Sequence, residues 1–234
     1  MELSPAASAV TLHPRGILFD MDGVLVSSLG SVERSWERWA EARGIDRELA
    51  IRTAHGRRAI ETVRLLRPDL NDMEELLWLE RMEIDDKVGL ETLAGVERIL
   101  ENLPEKYWTV VTSATERLAR SRMEAAGIRV PARIVSADVV AHGKPHPEPY
   151  RKGAELLGLA PAECLVIEDS ASGAQAGHAA DCKVLATLYS HSFDSLMGAD
   201  WIVHSLDDVH VLVAGDSLDI RFTPIARNAA VAGG

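Results

Sequence analysis

Cysteine is scarce in this chain of 234 residues. Cys164 and Cys182 are the only two, too few for a disulfide framework, and each lies beside an apolar run where a small core residue is expected. Basic residues are outnumbered, 25 Lys and Arg against 36 Asp and Glu, for a net charge of -11. That balance argues against a general nucleic-acid binder, which needs a basic face to neutralise phosphates, but a small phosphorylated substrate needs only a local positive site. No apolar stretch approaches the ~20 residues of a membrane helix, so no membrane partner is expected. The opening MELSPAASAVTLHPR lacks a basic segment followed by an apolar one, so no signal peptide is read and a cytoplasmic location is expected. Internal repeats and low-complexity segments are also lacking. What remains, 47% hydrophobic and 26% charged residues, is ordinary for a globular protein, and the length suits one large domain or a core domain with a smaller insert.

Short apolar runs alternate with helical patterns. GILFD (16–20), WTVVT (108–112), ARIVS (132–136), CLVIE (164–168), KVLAT (183–187) and WIVHS (201–205) read as buried strands. ERLARSRMEAAG and EPYRKGAELLG read as helices ending at Gly127 and Gly158. This alternation predicts an α/β fold, an open parallel sheet with helices on both faces. Residues 30–90 break it, because Val32, Trp36 and Trp39, then Ile60, Val63 and Leu66, recur at helical spacing with no convincing strand. The expected organisation is a core of 15–29 and 92–222, a helical cap of 30–91, and loose termini at 1–14 and 223–234. The insert leaves from the carboxyl end of a strand, where open α/β sheets bind ligands, so a lid is expected.

Four segments carry chemistry. FDMDGVLV (19–26) puts Asp20 and Asp22 on one side of an extended chain before the sharp exit at Gly23. One carboxylate can attack phosphorus while the other moves the proton of the leaving oxygen. VIEDSASGAQAG (166–177) ends a strand in Glu168 and Asp169, oxygen donors suited to a hard cation. HGKPHPEPY (142–150) fixes Lys144 in a segment stiffened by three prolines, where it can hold a phosphate. VVTSAT (110–115) ends a strand in hydroxyls, and Thr112, Ser113 and Ala114 are candidates for a phosphate cradle with the amides of the following helix. Each segment alone can also be read as a turn or a helix cap, and for VVTSAT alone the cap is the favoured reading. Together they mark the ends of separate strands, which a parallel sheet gathers at one edge.

DMDGV, TSAT, GKPHPEPY and EDSASG resemble, in order and spacing, the four motifs of the haloacid dehalogenase superfamily of phosphohydrolases, over residues 15–220. The resemblance implies a Rossmann-like core with a helical cap inserted between the first two motifs. It implies Asp20 as nucleophile and Asp22 as general acid/base. Asp20, the Asp22 carbonyl and Asp169 would hold Mg²⁺, with Glu168 close by or acting through water. Ser113 and Lys144 would bind the phosphoryl group; TSAT leaves Thr112 open as the contacting hydroxyl, with Ser113 favoured. The cap stretch SVERSWERWAEARGI, then HGRRAIETV, is similar to bacterial sugar phosphatases and to yeast glycerol-phosphate and deoxyglucose-phosphate phosphatases. Many relatives carry Asp where this chain has Ser27, near the cap hinge.

The expected activity is therefore Mg²⁺-dependent hydrolysis of small sugar or polyol phosphates, by a monomer or weak dimer. Asp22 suits an alkoxide leaving group, which disfavours dehalogenation. A phosphosugar mutase shares the core motifs and is the alternative; a silent metabolite-binding protein would not need the general acid. His55, Arg57 and Arg58, in HGRR, are the candidates for cap residues that touch substrate, and Trp36 is expected in the core of the cap.

Overall fold

A computed structural model describes residues 8–226. Strand β1 (Val10–Leu12) precedes β2 (Gly16–Phe19) and the short β3 (Val26–Ser27). Helices α1 (Leu29–Arg43), α2 (Arg47–Ala54), α3 (Ala59–Leu66) and α4 (Asp72–Asp85) follow without an intervening strand. The chain returns through β4 (Glu91–Thr92), α5 (Val96–Glu101), β5 (Trp108–Val110), α6 (Glu116–Ala125) and α7 (Glu148–Leu157). It continues through β6 (Cys164–Glu168), α8 (Ala171–Ala179), β7 (Lys183–Thr187) and β8 (Trp201–Val203), and ends in β9 (His210–Ala214) and β10 (Ser217–Phe222).

Five of these strands form one parallel sheet in the order β5-β2-β6-β7-β8. Alternation along each strand divides its apolar residues between two cores. Ile17, Phe19, Leu165, Ile167, Leu185 and Val203 enter one; Leu18, Val166, Val184, Ala186 and Ile202 enter the other. Both cysteines are buried and free in the second core, and burial pushes each thiol up to about 12, consistent with inert packing. The chain passes from β2 to β5 on one side and then crosses to β6 on the other. The carboxyl end of β2 is thus the point where the strand order reverses, the usual ligand crevice of such sheets.

The cap has its own core of Trp36, Trp39, Ala40, Ala50, Ala54, Val63 and Leu79, with Trp36 and Trp39 edge to face at 5.2 Å. Its two connections to the sheet pair as an antiparallel ribbon, Val26 with Thr92 and Ser27 with Glu91. Ser27 bonds the Tyr189 hydroxyl at 2.9 Å, tying this ribbon to the core.

Two expectations require correction. Residues 132–136 form no strand: Val135 alone makes an isolated parallel bridge to Val111. The Ala132 amide is diverted to the Glu105 carboxylate at 2.7 Å, and residues 137–139 turn at once into a short 3₁₀ segment, so no ladder can extend. Residues 10–12, expected in a loose terminus, form β1 instead, pairing antiparallel with β10 in a three-stranded sheet β1-β10-β9. Leu218, Ile220 and Phe222 of β10 alternate into the core, which gives this added sheet its anchor. At the other end, the Ile225 amide bonds the Ile202 carbonyl at 2.8 Å, so ordered pairing extends beyond residue 222. Residues 1–7 and 227–234 lie outside the described residues.

Candidate active site

The carboxyl ends of β2, β5 and β6 and the loop before α7 converge beneath the cap. They enclose, with α1–α4, a cavity of about 360 Å³ lined by Asp20, Asp22, Ser113, Lys144 and Asp169 from the core side. Asp20 leaves β2 with its amide still bonded to the Ile167 carbonyl at 2.9 Å, so the sheet itself fixes the carboxylate. Gly23 makes the exit possible. Its φ is +81°, and a Cβ there would meet Asp169 Oδ2 at 1.9 Å.

Lys144 is the hub of the site. Its Nζ donates to Asp20 Oδ1 and to Glu168 Oε1, each at 2.6 Å, and the side chain is almost wholly buried. Burial alone would lower the lysine pKa, but the two carboxylates raise it above the ordinary lysine value, so the group stays an ammonium. The Glu148 carboxylate fixes the loop that carries Lys144 by accepting from the Ala141 and His142 amides at 2.8 and 2.9 Å. Burial pushes Asp20 up to about 7, against the pull of Lys144. Asp169 is raised well above the carboxylate range by burial and by the neighbouring Glu168 and Asp20.

Glu168, expected among the metal ligands, has both oxygens engaged. Oε1 accepts from Lys144 and from the Tyr150 hydroxyl at 2.6 Å, and Oε2 accepts from the Asp169 amide, the Ser170 amide and Ser170 Oγ at 3.0 Å. Burial raises its pKa, but Lys144 and these donors outweigh that and hold it below the ordinary range. These donors place it beside Lys144. Asp20 and Asp169 face the cavity. They belong, with Glu168, to a buried group whose oxygens lie within 4.8 Å of one another. Hard oxygen donors that repel one another in a buried cleft fit Mg²⁺, which relieves that repulsion.

The hydroxyl segment divides in two. Thr112 is buried, and its Oγ1 accepts from the Ala114 amide at 3.1 Å. Ser113 is half-buried at the cavity wall, where its hydroxyl reaches the Gly56 carbonyl at 3.4 Å. Gly56 belongs to the cap loop, and its carbonyl also accepts from Ser172 at 3.0 Å. The loop holding His55, Arg57 and Arg58 thus rests directly on the core. These three residues differ in what is left to them. Arg58 is committed to Glu61 and to the Val140 and Ala141 carbonyls. Arg57 is exposed at the cavity edge. His55 has a buried Nε2 with no hydrogen-bond partner among the described residues, and burial lowers its pKa.

Three residues at the site were not legible as site residues. Tyr150 supports Glu168, as above. Arg122 of α6 donates from Nη1 to Asp22 Oδ1 at 2.9 Å, and Glu83 of α4 lies across from it. The available signal was periodicity: Arg122 falls among Leu118, Ala119 and Met123 on the buried face of α6, where the helical period calls for an apolar residue. Glu83 falls in the same way on the buried face of α4, with Leu79.

Comparison with known proteins adds independent findings. The profile of the haloacid dehalogenase-like hydrolases matches residues 14–181. Hexitol phosphatase A of Escherichia coli is 38% identical over 202 residues, covering 84% of this chain and 94% of that protein. Glycerol-1-phosphate phosphohydrolase 2 of Saccharomyces cerevisiae is 32% identical over 217 residues, covering 86% of each. Among solved structures, a β-phosphoglucomutase from Clostridium difficile superposes with a TM-score of 0.71 at 19% identity, over 83% of this chain and 92% of that one, a likeness of fold.

Proposed function

Because the chain belongs to the family of haloacid dehalogenase-like hydrolases, we propose that it hydrolyses phosphate monoesters of small sugars or polyols, with Asp20 as the nucleophile. The observation that carries this reading is Lys144 Nζ, held 2.6 Å from Asp20 in a cleft closed by the cap. An ammonium fixed there neutralises Asp20 in the resting protein and is positioned to meet the phosphoryl oxygens when substrate enters. Catalysis of phosphoryl transfer is largely positioning and electrostatics of this kind.

In the first step an Asp20 oxygen bonds to phosphorus as the ester P–O bond breaks. The electron pair leaves on the ester oxygen, which takes a proton from Asp22. In the second step water attacks the phosphorus of the aspartyl-phosphate. Asp22, now a carboxylate, takes the water proton, and the Asp20–phosphorus bond breaks to release phosphate. Ser113, Ala114 and Lys144 bind the transferring group, and Thr112 shapes the turn that presents them. Glu168, anchored by Tyr150 and Ser170, orients Lys144. Asp20, Asp169 and the Asp22 carbonyl would hold Mg²⁺, whose charge, when bound, opposes that of the phosphoryl oxygens.

The nearness to named phosphatases at 38% and 32% identity favours hydrolysis over phosphoryl transfer between sugars. The two are separated by one assay. Phosphate release from hexitol and glycerol phosphates is measured with Mg²⁺ and with chelator, beside isomer formation primed by a sugar bisphosphate. Mg²⁺-dependent phosphate release is expected. Isomerisation without net phosphate release would replace this reading with a mutase.

A further inference from the structure

Helix α4 buries three glutamates, one of which is treated differently from the other two. Glu80 accepts from the Thr115 hydroxyl at 2.5 Å. Glu75 is satisfied: Trp39 Nε1 and the Arg43 Nε and Nη2 all donate to it within 2.9 Å. Glu83, equally buried, accepts no hydrogen bond among the described residues, and its nearest cationic atom, Arg122 Nη2, is 3.6 Å away. Arg122 mirrors it. Its Nη1 is occupied by Asp22, but its buried Nε and Nη2 have no hydrogen-bond partner among the described residues. Buried donors and acceptors left unpaired are destabilising, and each such group calls for an explanation. Burial pushes Glu83 up to about 7, a sign that the ion pair with Arg122 is too loose to offset it.

Both side chains line the cavity. They lie on the side of Asp22, the residue that serves the leaving oxygen, whereas the phosphoryl group belongs with Asp20, Ser113 and Lys144. A hydroxyl accepts from an N–H and donates to a carboxylate at once, so one approaching from the cavity side can bridge the two, which are too close for it to sit between them. A second anionic group does not suit this wall, which Glu80, Glu83 and Asp22 share; of the cap arginines lining the cavity, Arg58 and Arg64 are paired with Glu61 and Asp72, and Arg57 sits exposed at the cavity edge.

We infer that Glu83 and Arg122 form a hydroxyl-recognition subsite for a neutral polyol leaving group, and that they select such esters over those lacking the hydroxyl. The inference rests on the phosphatase reading above. A site built to bond a hydroxyl rejects an analogue without it strongly, because its own polar groups then stay unpaired.

The test is the ratio of kcat/KM for glycerol phosphate to that for propyl phosphate, in Mg²⁺, for the full-length protein, Glu83→Gln and Arg122→Lys. The wild-type ratio should favour the polyol ester, and Glu83→Gln, which keeps shape, should reduce the ratio by about 10- to 100-fold. Arg122→Lys keeps a cation near Asp22 but loses the forked donor, so the ratio should fall there too, which preserves the test should one variant fold poorly. An unchanged ratio in a folded variant, with the polyol preference intact, overturns the subsite alone. A wild-type enzyme that releases phosphate from other esters but not from polyol phosphates overturns the proposed substrate class, and the subsite with it.

Discussion

Tyr150→Phe isolates the support of Lys144 from the lysine itself. Tyr150 is fully buried and gives its hydroxyl to Glu168 at 2.6 Å, one of five donors to that carboxylate. The substitution leaves the ring and so creates little cavity; what it removes is a hydrogen bond to a buried charge, worth about 1.5–3 kcal/mol. The expected loss of stability is therefore ~2 kcal/mol, read from urea denaturation at neutral pH with Mg²⁺ present. Glu168 is held below the ordinary glutamate range, so its stabilisation is present above that range and is lost as pH falls through its depressed folded value. The Tyr150→Phe deficit should accordingly be greatest at neutral pH and shrink in acid. Turnover should fall by no more than ~10-fold, because Lys144 keeps both carboxylates and Tyr150 touches no reacting atom. A stability change under ~0.5 kcal/mol would refute the view that Glu168 depends on this donor.

Gly23→Ala should lower kcat by ~100-fold and raise the Mg²⁺ concentration needed for half-maximal rate, because the added Cβ displaces the Asp169 carboxylate from a backbone that also has positive φ; wild-type Mg²⁺ dependence would contradict it. Glu83 titrates near 7 when folded, so its folded state binds the proton more tightly than the unfolded chain does, and wild-type stability falls as pH rises from the ordinary glutamate range to about 7. The stability of Glu83→Gln relative to wild type should thus rise by about 2–4 kcal/mol across that interval, followed by denaturant melts at several pH values. A flat difference would mean that Glu83 is not a buried, poorly paired acid.

The parallel core was legible because its strands are buried on both faces and read as continuous apolar runs. Residues 132–136 show the limit of that signal. Ile134 and Val135 are buried as expected, but burial does not reveal whether backbone groups pair, and here only Val135 does. The β9–β10 hairpin gave a weak signal because Leu212, Val213 and most of β9 are exposed. The structure brings Asp20, Asp22, Ser113 and Asp169 to one cleft from the ends of strands in a parallel sheet, and Lys144 joins them from the loop before α7. Glu83 and Arg122 were hidden by the habit of assigning charged residues on amphipathic helices to solvent; only their position on the buried stripe marks them. Arg57 and Arg58, adjacent in sequence, part in structure because Arg58 alone meets carbonyls of the loop before Lys144.

The proposed chemistry turns on Asp20. The most direct measurement is an acid-quenched single turnover with a radiolabelled hexitol phosphate, followed by peptide mapping. A labelled acyl-phosphate is expected on the peptide containing Asp20, formed and lost at rates that match phosphate release, and absent in Asp20→Asn, which should be folded and inactive. Phosphate release by Asp20→Asn at a near-normal rate would contradict it.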